Sequence, residues 1–310
     1  MATFDEKYEY IENDPISSGG YGFIYRIRDR KFKTEYVLKK LRKENPNNPN
    51  QKATDPESFK KEIDFLINVK GTNIVNIIDY YEKEDPKFYY IVLEKMDGDL
   101  DAIRNKYKKG MSSKLIRKIF LQLNSGLAKM INKGKTHRDL KPSNILYSYI
   151  NNKKSDFVIK IGDFGLATDL VSTVYASDAG TIFYKAPEVE NGKFSNKCGL
   201  YSLGILFYIC LKTGEYIFEG TNLYDILSNK KNNNKKKETD DAKLNDLINK
   251  LVVIDPHERM EWKEYFNHPF FNVNDDNIQE NDECKIVFNY KFCFLIINNK
   301  FILEKFLLFF

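Results

Sequence analysis

The first ninety residues and the rest of the chain carry different hydrophobic patterns. Residues 8–44 read as strands joined by tight turns, and residues 45–55, rich in Asn and Pro, read as a loop or insertion. A helix follows. Thr54 and Glu57 have the spacing of a Thr-x-x-Glu capping box, Pro56 falls in the first turn, and Phe59, Ile63, Leu66 and Ile67 share one helical face. Residues 74–94 read as two strands, the second over 88–93. Beyond residue 100 the helical period takes over: Leu115, Ile116, Ile119, Phe120, Leu123, Leu127, Met130 and Ile131 mark a long amphipathic helix. Two short strand-like pieces, around 145–146 and over 158–161, precede an apolar helix at 200–211 and further helical segments to about Phe266. Strands first and helices later predict an α+β chain in two lobes, with the boundary near 94–99.

Composition narrows the picture. The 310 residues are enough for two packed lobes. Lys plus Arg is 49 and Asp plus Glu is 44, and the resulting net charge of +5 is too small to point to a histone-like or heavily basic nucleic-acid protein. A hydrophobic share of 42% can build a core and is too high for a mainly disordered chain. The four cysteines, at 198, 210, 284 and 293, form no CxxC pair, which argues against a disulfide scaffold or a zinc ribbon and fits free thiols in a reducing compartment. The acidic, polar start MATFDEKYEY does not read as a secretory signal. Segment 284–310 is the most apolar, yet Lys291, Lys300, Glu304 and Lys305 interrupt it. Its longest uncharged run, 292–299, is far shorter than the ~20 residues that cross a bilayer, so no transmembrane segment is expected and interfacial adsorption is the membrane mode left open. The low-complexity run 229–241 has no aromatic residues among its lysines and reads as a solvated loop, so no nucleic-acid partner is expected.

Candidate chemistry begins at Ser18-Gly19-Gly20-Tyr21-Gly22, between two strand-like pieces. Glycines let a backbone approach an anion closely and expose N–H groups to it, although a plain glycine hairpin has the same composition. Lys39 stands in the strand-like piece 36–39, where period two puts it on the same face as Val37. An apolar residue and a cation on one wall suit a nucleotide base and its phosphates. Glu62 lies among the apolar positions of the capped helix and needs a partner if buried, for which Lys39 is the candidate. The densest constellation is His137-Arg138-Asp139-Leu140-Lys141-Pro142-Ser143-Asn144, followed by Asp163-Phe164-Gly165. It brings acidic and amide oxygens together, hard ligands of the kind that hold Mg²⁺ alongside phosphates.

On these motifs the chain resembles the eukaryotic protein kinase family, Ser/Thr type, from about Tyr8 to Phe271. The resemblance implies a bilobal protein-kinase-like fold: a small antiparallel β lobe with one main helix (8–94) and a larger, mainly α-helical lobe (99–271). Residues 1–7 would be an N-terminal extension and 272–310 a tail of unknown role. It implies ATP between the lobes and transfer of its γ-phosphoryl group, as Mg-ATP, to Ser/Thr hydroxyls of protein substrates. Ser17, Gly19 and Gly22 align with the three glycine positions of the phosphate loop. Lys39 would hold the α- and β-phosphates, oriented by Glu62. Ile24, Val37 and Leu146 would enclose adenine, Glu94 and Met96 would meet it at the hinge with Leu93 at the back, and Asp99 would approach the ribose. Asp139 would orient the acceptor hydroxyl and take its proton, Lys141 would stabilise the γ-phosphate, and Asn144 and Asp163 would hold Mg²⁺. Lys141, two after Asp139, is the Ser/Thr pattern. Residues 180–188 resemble the substrate-docking segment, with Thr181 near Asp139 and Lys141 and with Glu188 paired to Arg259.

The resemblance also implies an activation segment between Asp163 and Glu188. Ser177 would be its phosphosite, reached by an upstream kinase or by autophosphorylation, with Ser172, Thr173 and Tyr175 as alternatives and Arg138 as a phosphate partner. Two apolar columns are implied, Leu66-Ile77-His137-Phe164 and Ile24-Val37-Leu100-Leu146. A cytoplasmic location is expected, nuclear residence being compatible. Three positions depart from the family: Ser17 for a glycine, Val37 for the usual alanine, and Gly199 for an aspartate that accepts hydrogen bonds from the catalytic loop. On that basis Gly199→Asp is expected to raise thermal stability or turnover. Two other readings stand beside catalysis on proteins. One is a pseudokinase acting as a nucleotide-binding scaffold or allosteric partner, against which Lys39, Glu62, Asp139, Asn144 and Asp163 are all present. The other is a small-molecule phosphotransferase, against which the 180–188 segment and Arg259 stand.

Overall fold

The computed structural model describes residues 2–44, 53–151, 153–163, 168–169, 183–190, 195–211, 215–218, 220, 225, 228–230 and 241–272. A short helix α1 (Phe4–Lys7) leads into six strands of one antiparallel sheet: β1 (Tyr8–Tyr10), β2 (Ser17–Gly19), β3 (Gly22–Asp29), β4 (Glu35–Arg42), β5 (Ile77–Tyr81) and β6 (Phe88–Glu94). The strand order is β1-β3-β4-β6-β5, with β2 paired to β3. The register places Ile24 opposite Lys39 and Lys39 opposite Ile91, and likewise Val37 opposite Leu93. Directly opposed residues share a face, so Ile24, Val37 and Lys39 lie on one wall. The other face buries Ile27, Leu38, Tyr90 and Val92 against Phe4 and Tyr8. Residues 1–7, read from sequence as an extension, therefore contribute a buried side chain, Phe4, to the small lobe. Thr3 caps α1 through a capping box with Glu6.

Helix α2 (Pro56–Asn68) packs on this sheet, but its start differs from the sequence reading. The cap is Asp55, whose carboxylate accepts the Ser58 N–H at 2.9 Å, with Pro56 as the first helical residue. Thr54 is committed elsewhere: it bridges Lys43, and its N–H donates to the Arg42 carbonyl oxygen at 2.8 Å. Backbone pairing holds Thr54 in continuation of the sheet, so the helix begins one residue later. The buried face carries Phe59, Glu62, Ile63, Phe65 and Leu66, whereas Ile67 is exposed.

The second lobe holds β7 (Gly98–Asp99), α3 (Leu100–Arg104), α4 (Ser113–Asn132), β8 (Lys135–Thr136), a 3-10 turn Pro142–Asn144, β9 (Ile145–Ile150), β10 (Lys153–Ile161), β11 (Thr168–Asp169), α5 (Pro187–Glu190), α6 (Cys198–Leu211), α7 (Ala242–Leu251) and α8 (Trp262–Phe266). Strands β9 and β10, longer than the sequence suggested, form a hairpin to which β7 adds, and β11 pairs with β8. Helix α4 buries Ile116, Ile119, Phe120, Leu123, Leu127 and Met130 as expected, with Leu115 and Ile131 at the margin. Helix α6 is apolar on every side and buried on every side from Cys198 to Cys210, which makes it the axis of the lobe. One continuous core runs from Phe59 and Leu66 of α2 through Ile161 to α6 and Phe271. No helix among the described residues is long and apolar enough to cross a membrane.

Candidate active site

Three segments distant in sequence meet at Lys39. Its ammonium donates to Glu62 Oε1 at 2.7 Å and to Asp163 Oδ1 at 3.1 Å. Lys39 and Glu62 are both largely covered, so each charge needs the other. Burial alone would lower the Lys39 pKa, but the two carboxylates together outweigh it and raise it above the ordinary lysine value. In return the Lys39 charge holds the Asp163 carboxyl down at about 2. Asp163 is half exposed and sits in the left-handed region at φ 53°, which turns its carboxylate toward the sheet's lysine.

The second cluster is the loop from His137 to Asn144. Asp139 is buried, and its Oδ2 accepts Lys141 Nζ at 2.8 Å and Asn144 Nδ2 at 3.1 Å. Asn144 Nδ2 also donates to the Asp139 carbonyl oxygen at 2.8 Å. Asp139 Oδ1 is buried with no hydrogen-bond partner among the described residues. Such an oxygen is costly unless something else supplies a donor there. His137 ties the loop to the strand leading to Asp163: its Nε2 lies 2.8 Å from the Gly162 carbonyl oxygen, and its Nδ1 accepts the Asp139 N–H at 3.3 Å. The Gly162 N–H in turn donates to the Asn144 carbonyl oxygen at 2.9 Å.

The remaining candidates stand on β2, β3 and β4, at the end of β6, and from the link before β7 to β9. Ile24 and Val37 are half-buried on the Lys39 wall, while Leu146 packs on Gly162, whose absent Cβ would lie 2.8 Å from a Leu146 methyl. Glu94 is the last residue of β6. Its Oε1 accepts the Asn76 N–H at 2.7 Å and Lys160 Nζ at 2.6 Å. Met96 packs against the core in the link to β7. Asp99 caps α3 by accepting the Ala102 N–H at 2.8 Å, a structural duty the sequence reading did not give it. Ser17 and Gly19 are exposed in β2, and Gly19 has open space beside it. A Cβ on Gly22, by contrast, would fall 2.0 Å from the Lys40 carbonyl oxygen, so a side chain is excluded there. Of the two apolar columns, Leu66, Ile77, His137 and Leu100 are buried and Ile24, Val37 and Leu146 are half-buried.

Glu188 and Arg259 pair through two bonds, at 2.7 and 3.0 Å, both side chains almost wholly buried. Phe164, Gly165, Ser172, Thr173, Tyr175, Ser177, Gly180 and Thr181 lie outside the described residues, as does the tail from 273. Sequence reasoning missed Lys160, whose partner is 66 residues away, and Arg42, which binds the glycine hairpin. The one local signal for Lys160 was a lysine in an otherwise apolar run.

Residues 10–271 match the protein kinase domain family. The chain belongs to that family. Among curated relatives, this kinase domain is 31% identical over 284 residues to calcium-dependent protein kinase 4 of Plasmodium falciparum, covering 87% of the chain and 50% of the relative. It is also 31% identical over 279 residues to calcium-dependent protein kinase 3 of Plasmodium yoelii yoelii, covering 86% and 48% respectively. It is similar as well to serine/threonine-protein kinase atg1 of Dictyostelium discoideum, at 31% identity over 277 residues, 87% of the chain and 40% of the relative. The chain thus spans about half the length, or less, of the curated relatives it matches. Membership of the kinase family implies ATP as a substrate and a divalent metal.

Proposed function

We propose that this kinase domain transfers the γ-phosphoryl group of ATP, taken as its Mg²⁺ complex, to Ser or Thr hydroxyls of protein substrates. One observation carries the reading: Lys39 bonds Glu62 of α2 and Asp163 of the large lobe at once, a cation and two carboxylates gathered where a triphosphate and its metal need them. Lys39 then holds the α- and β-phosphates, and Glu62 fixes its direction. Asp139, with Oδ2 engaged by Lys141 and Asn144, offers Oδ1 to the acceptor hydroxyl and takes its proton. Lys141 steadies the transferring phosphoryl group. Ser17, Gly19 and Gly22 frame the phosphates, while Ile24, Val37 and Leu146 pack on adenine and the backbone at Glu94 and Met96 binds its edge.

The donor set fits Mg²⁺. Asn144 gives its amide N–H to Asp139, which leaves its amide oxygen for a cation, and Asp163 brings a half-exposed carboxylate held ionised by Lys39. Bound there, the metal neutralises phosphate charge. The limits 8–94 and 99–271 for the two lobes belong to the same reading, as does an activating phosphate at Ser177. Unchanged activity of phosphorylated Ser177→Ala enzyme would remove the latter.

The test is phosphate transfer from labelled Mg·ATP to a peptide array. Wild-type protein is expected to label Ser/Thr peptides, and Asp139→Asn to lose at least about a thousandfold in turnover while still binding ATP. Undiminished transfer by Asp139→Asn, or none by folded wild-type protein with Mg²⁺, would overturn the assignment.

A further inference from the structure

The tip of the β2–β3 hairpin is held by a cation from strand β4. Arg42 Nη1 donates to the Gly19 carbonyl oxygen at 3.0 Å and to the Gly20 carbonyl oxygen at 2.8 Å. The Arg42 backbone N–H donates to the Tyr21 carbonyl oxygen at 2.8 Å, and the guanidinium lies 4.4 Å over the Phe23 ring. Three consecutive carbonyls at the turn are therefore tied to one residue.

Strand alternation fixes the side from which Arg42 acts. Lys39 shares its face with Glu62, and Leu41 follows it on that face. Arg42 falls on the opposite face, with Lys40, whose ammonium sits over Phe88 and Tyr90. In a trans peptide the C=O and N–H point opposite ways. Drawing the Gly19 and Gly20 carbonyls toward Arg42 turns the N–H groups of Gly20 and Tyr21 toward the Lys39 face. Positive charge at the carbonyl end also polarises those peptides and makes the N–H groups better donors. A turn of this composition would otherwise lose much conformational freedom on binding an anion.

We propose that Arg42 is a positioning residue for phosphate recognition: by gripping two carbonyls from outside the cleft it presets the Gly20 and Tyr21 N–H groups as donors to the phosphates of a nucleoside di- or triphosphate. The proposal rests on the nucleotide reading above and names a residue outside the motifs that carried it. It predicts a loss confined to the phosphates.

Calorimetric titration with Mg·ADP and with adenosine, on wild type, Arg42→Ala and Arg42→Lys, tests it. Arg42→Ala is expected to weaken ADP about fivefold to tenfold and adenosine less than about twofold, because only ADP meets the reoriented amides. Arg42→Lys is expected to fall between, since an ammonium keeps the charge and loses the fork. It also serves as the informative variant if Arg42→Ala does not fold. ADP affinity unchanged in both variants, or equal losses for ADP and adenosine, would overturn the role of Arg42 alone. Folded wild-type protein that binds no ADP would overturn this role together with the nucleotide reading.

Discussion

At the scale of the residue, His137 shows how the site constrains a single proton. Its Nδ1 faces a donor, the Asp139 N–H, and its Nε2 faces an acceptor, the Gly162 carbonyl oxygen. The neutral ring with its proton on Nε2 satisfies both neighbours, and a second proton would meet an N–H head-on. Burial moves the His137 pKa below the ordinary 6.5. A histidine with a lowered folded pKa contributes stability above the unfolded value and loses it as pH falls toward the folded one. Stability should therefore decline below about pH 6.5, by up to about 1.4 kcal/mol per pH unit for this proton. Urea unfolding across pH 5–7.5 checks it: His137→Phe should show a shallower slope than wild type. Asp163 acts at lower pH. Its carboxyl, held at about 2 by Lys39, adds stability above the ordinary aspartate range that is lost as pH falls toward 2. Asp163→Asn should lack that acid-side loss in thermal unfolding scans.

Elements show where local sequence signals were sufficient and where they misled. The helical period of α4 located it, because that pattern resides in neighbouring residues. The α2 cap did not follow its motif. Thr54-x-x-Glu57 has capping-box spacing, yet Thr54 is held by Arg42 and Lys43, so Asp55 caps instead. Asp55→Ala should cost about 1 kcal/mol in denaturant unfolding, and Thr54→Ala about half that or less. Helix α6 revises a second expectation. The Gly199 position meets Trp262, with a Cβ 3.3 Å from the indole, and the indole is fixed by its N–H on the Asn196 carbonyl oxygen at 2.8 Å. An aspartate there makes the anchored ring give by a few tenths of an ångström and places a carboxylate in a buried position. Gly199→Asp is therefore expected to lower the melting temperature, equivalent to about 1–3 kcal/mol, contrary to the gain the family pattern suggests.

Over the whole molecule, a few polar ties join segments distant in sequence. The Arg259 guanidinium binds Glu188 and also the carbonyls of Val253 and Lys197. Removing one partner strands a buried charge, so Glu188→Ala should destabilise by about 3–5 kcal/mol in thermal or denaturant unfolding. The exposed Glu57–Lys61 pair of α2 is the control, and Lys61→Ala should change stability by about 0.5 kcal/mol or less. Glu94 joined to Lys160 and Asn76 is a similar tie, set where the chain leaves the small lobe.

By itself the sequence determined the strand-rich first part, α2, α4, the apolar α6, and a set of chemical groups whose spacing resembles one family. All of these are written in short-range pattern. Tertiary structure decided which oxygen of Asp139 stays unpartnered, that Asp99 caps a helix, that Trp262 closes over Gly199, and that Arg42 reaches back to Gly19 and Gly20. The physical reason is range. Periodicity and propensity act over a few residues, whereas hydrogen-bond satisfaction and steric exclusion depend on neighbours that strand register and helix packing bring from tens of residues away.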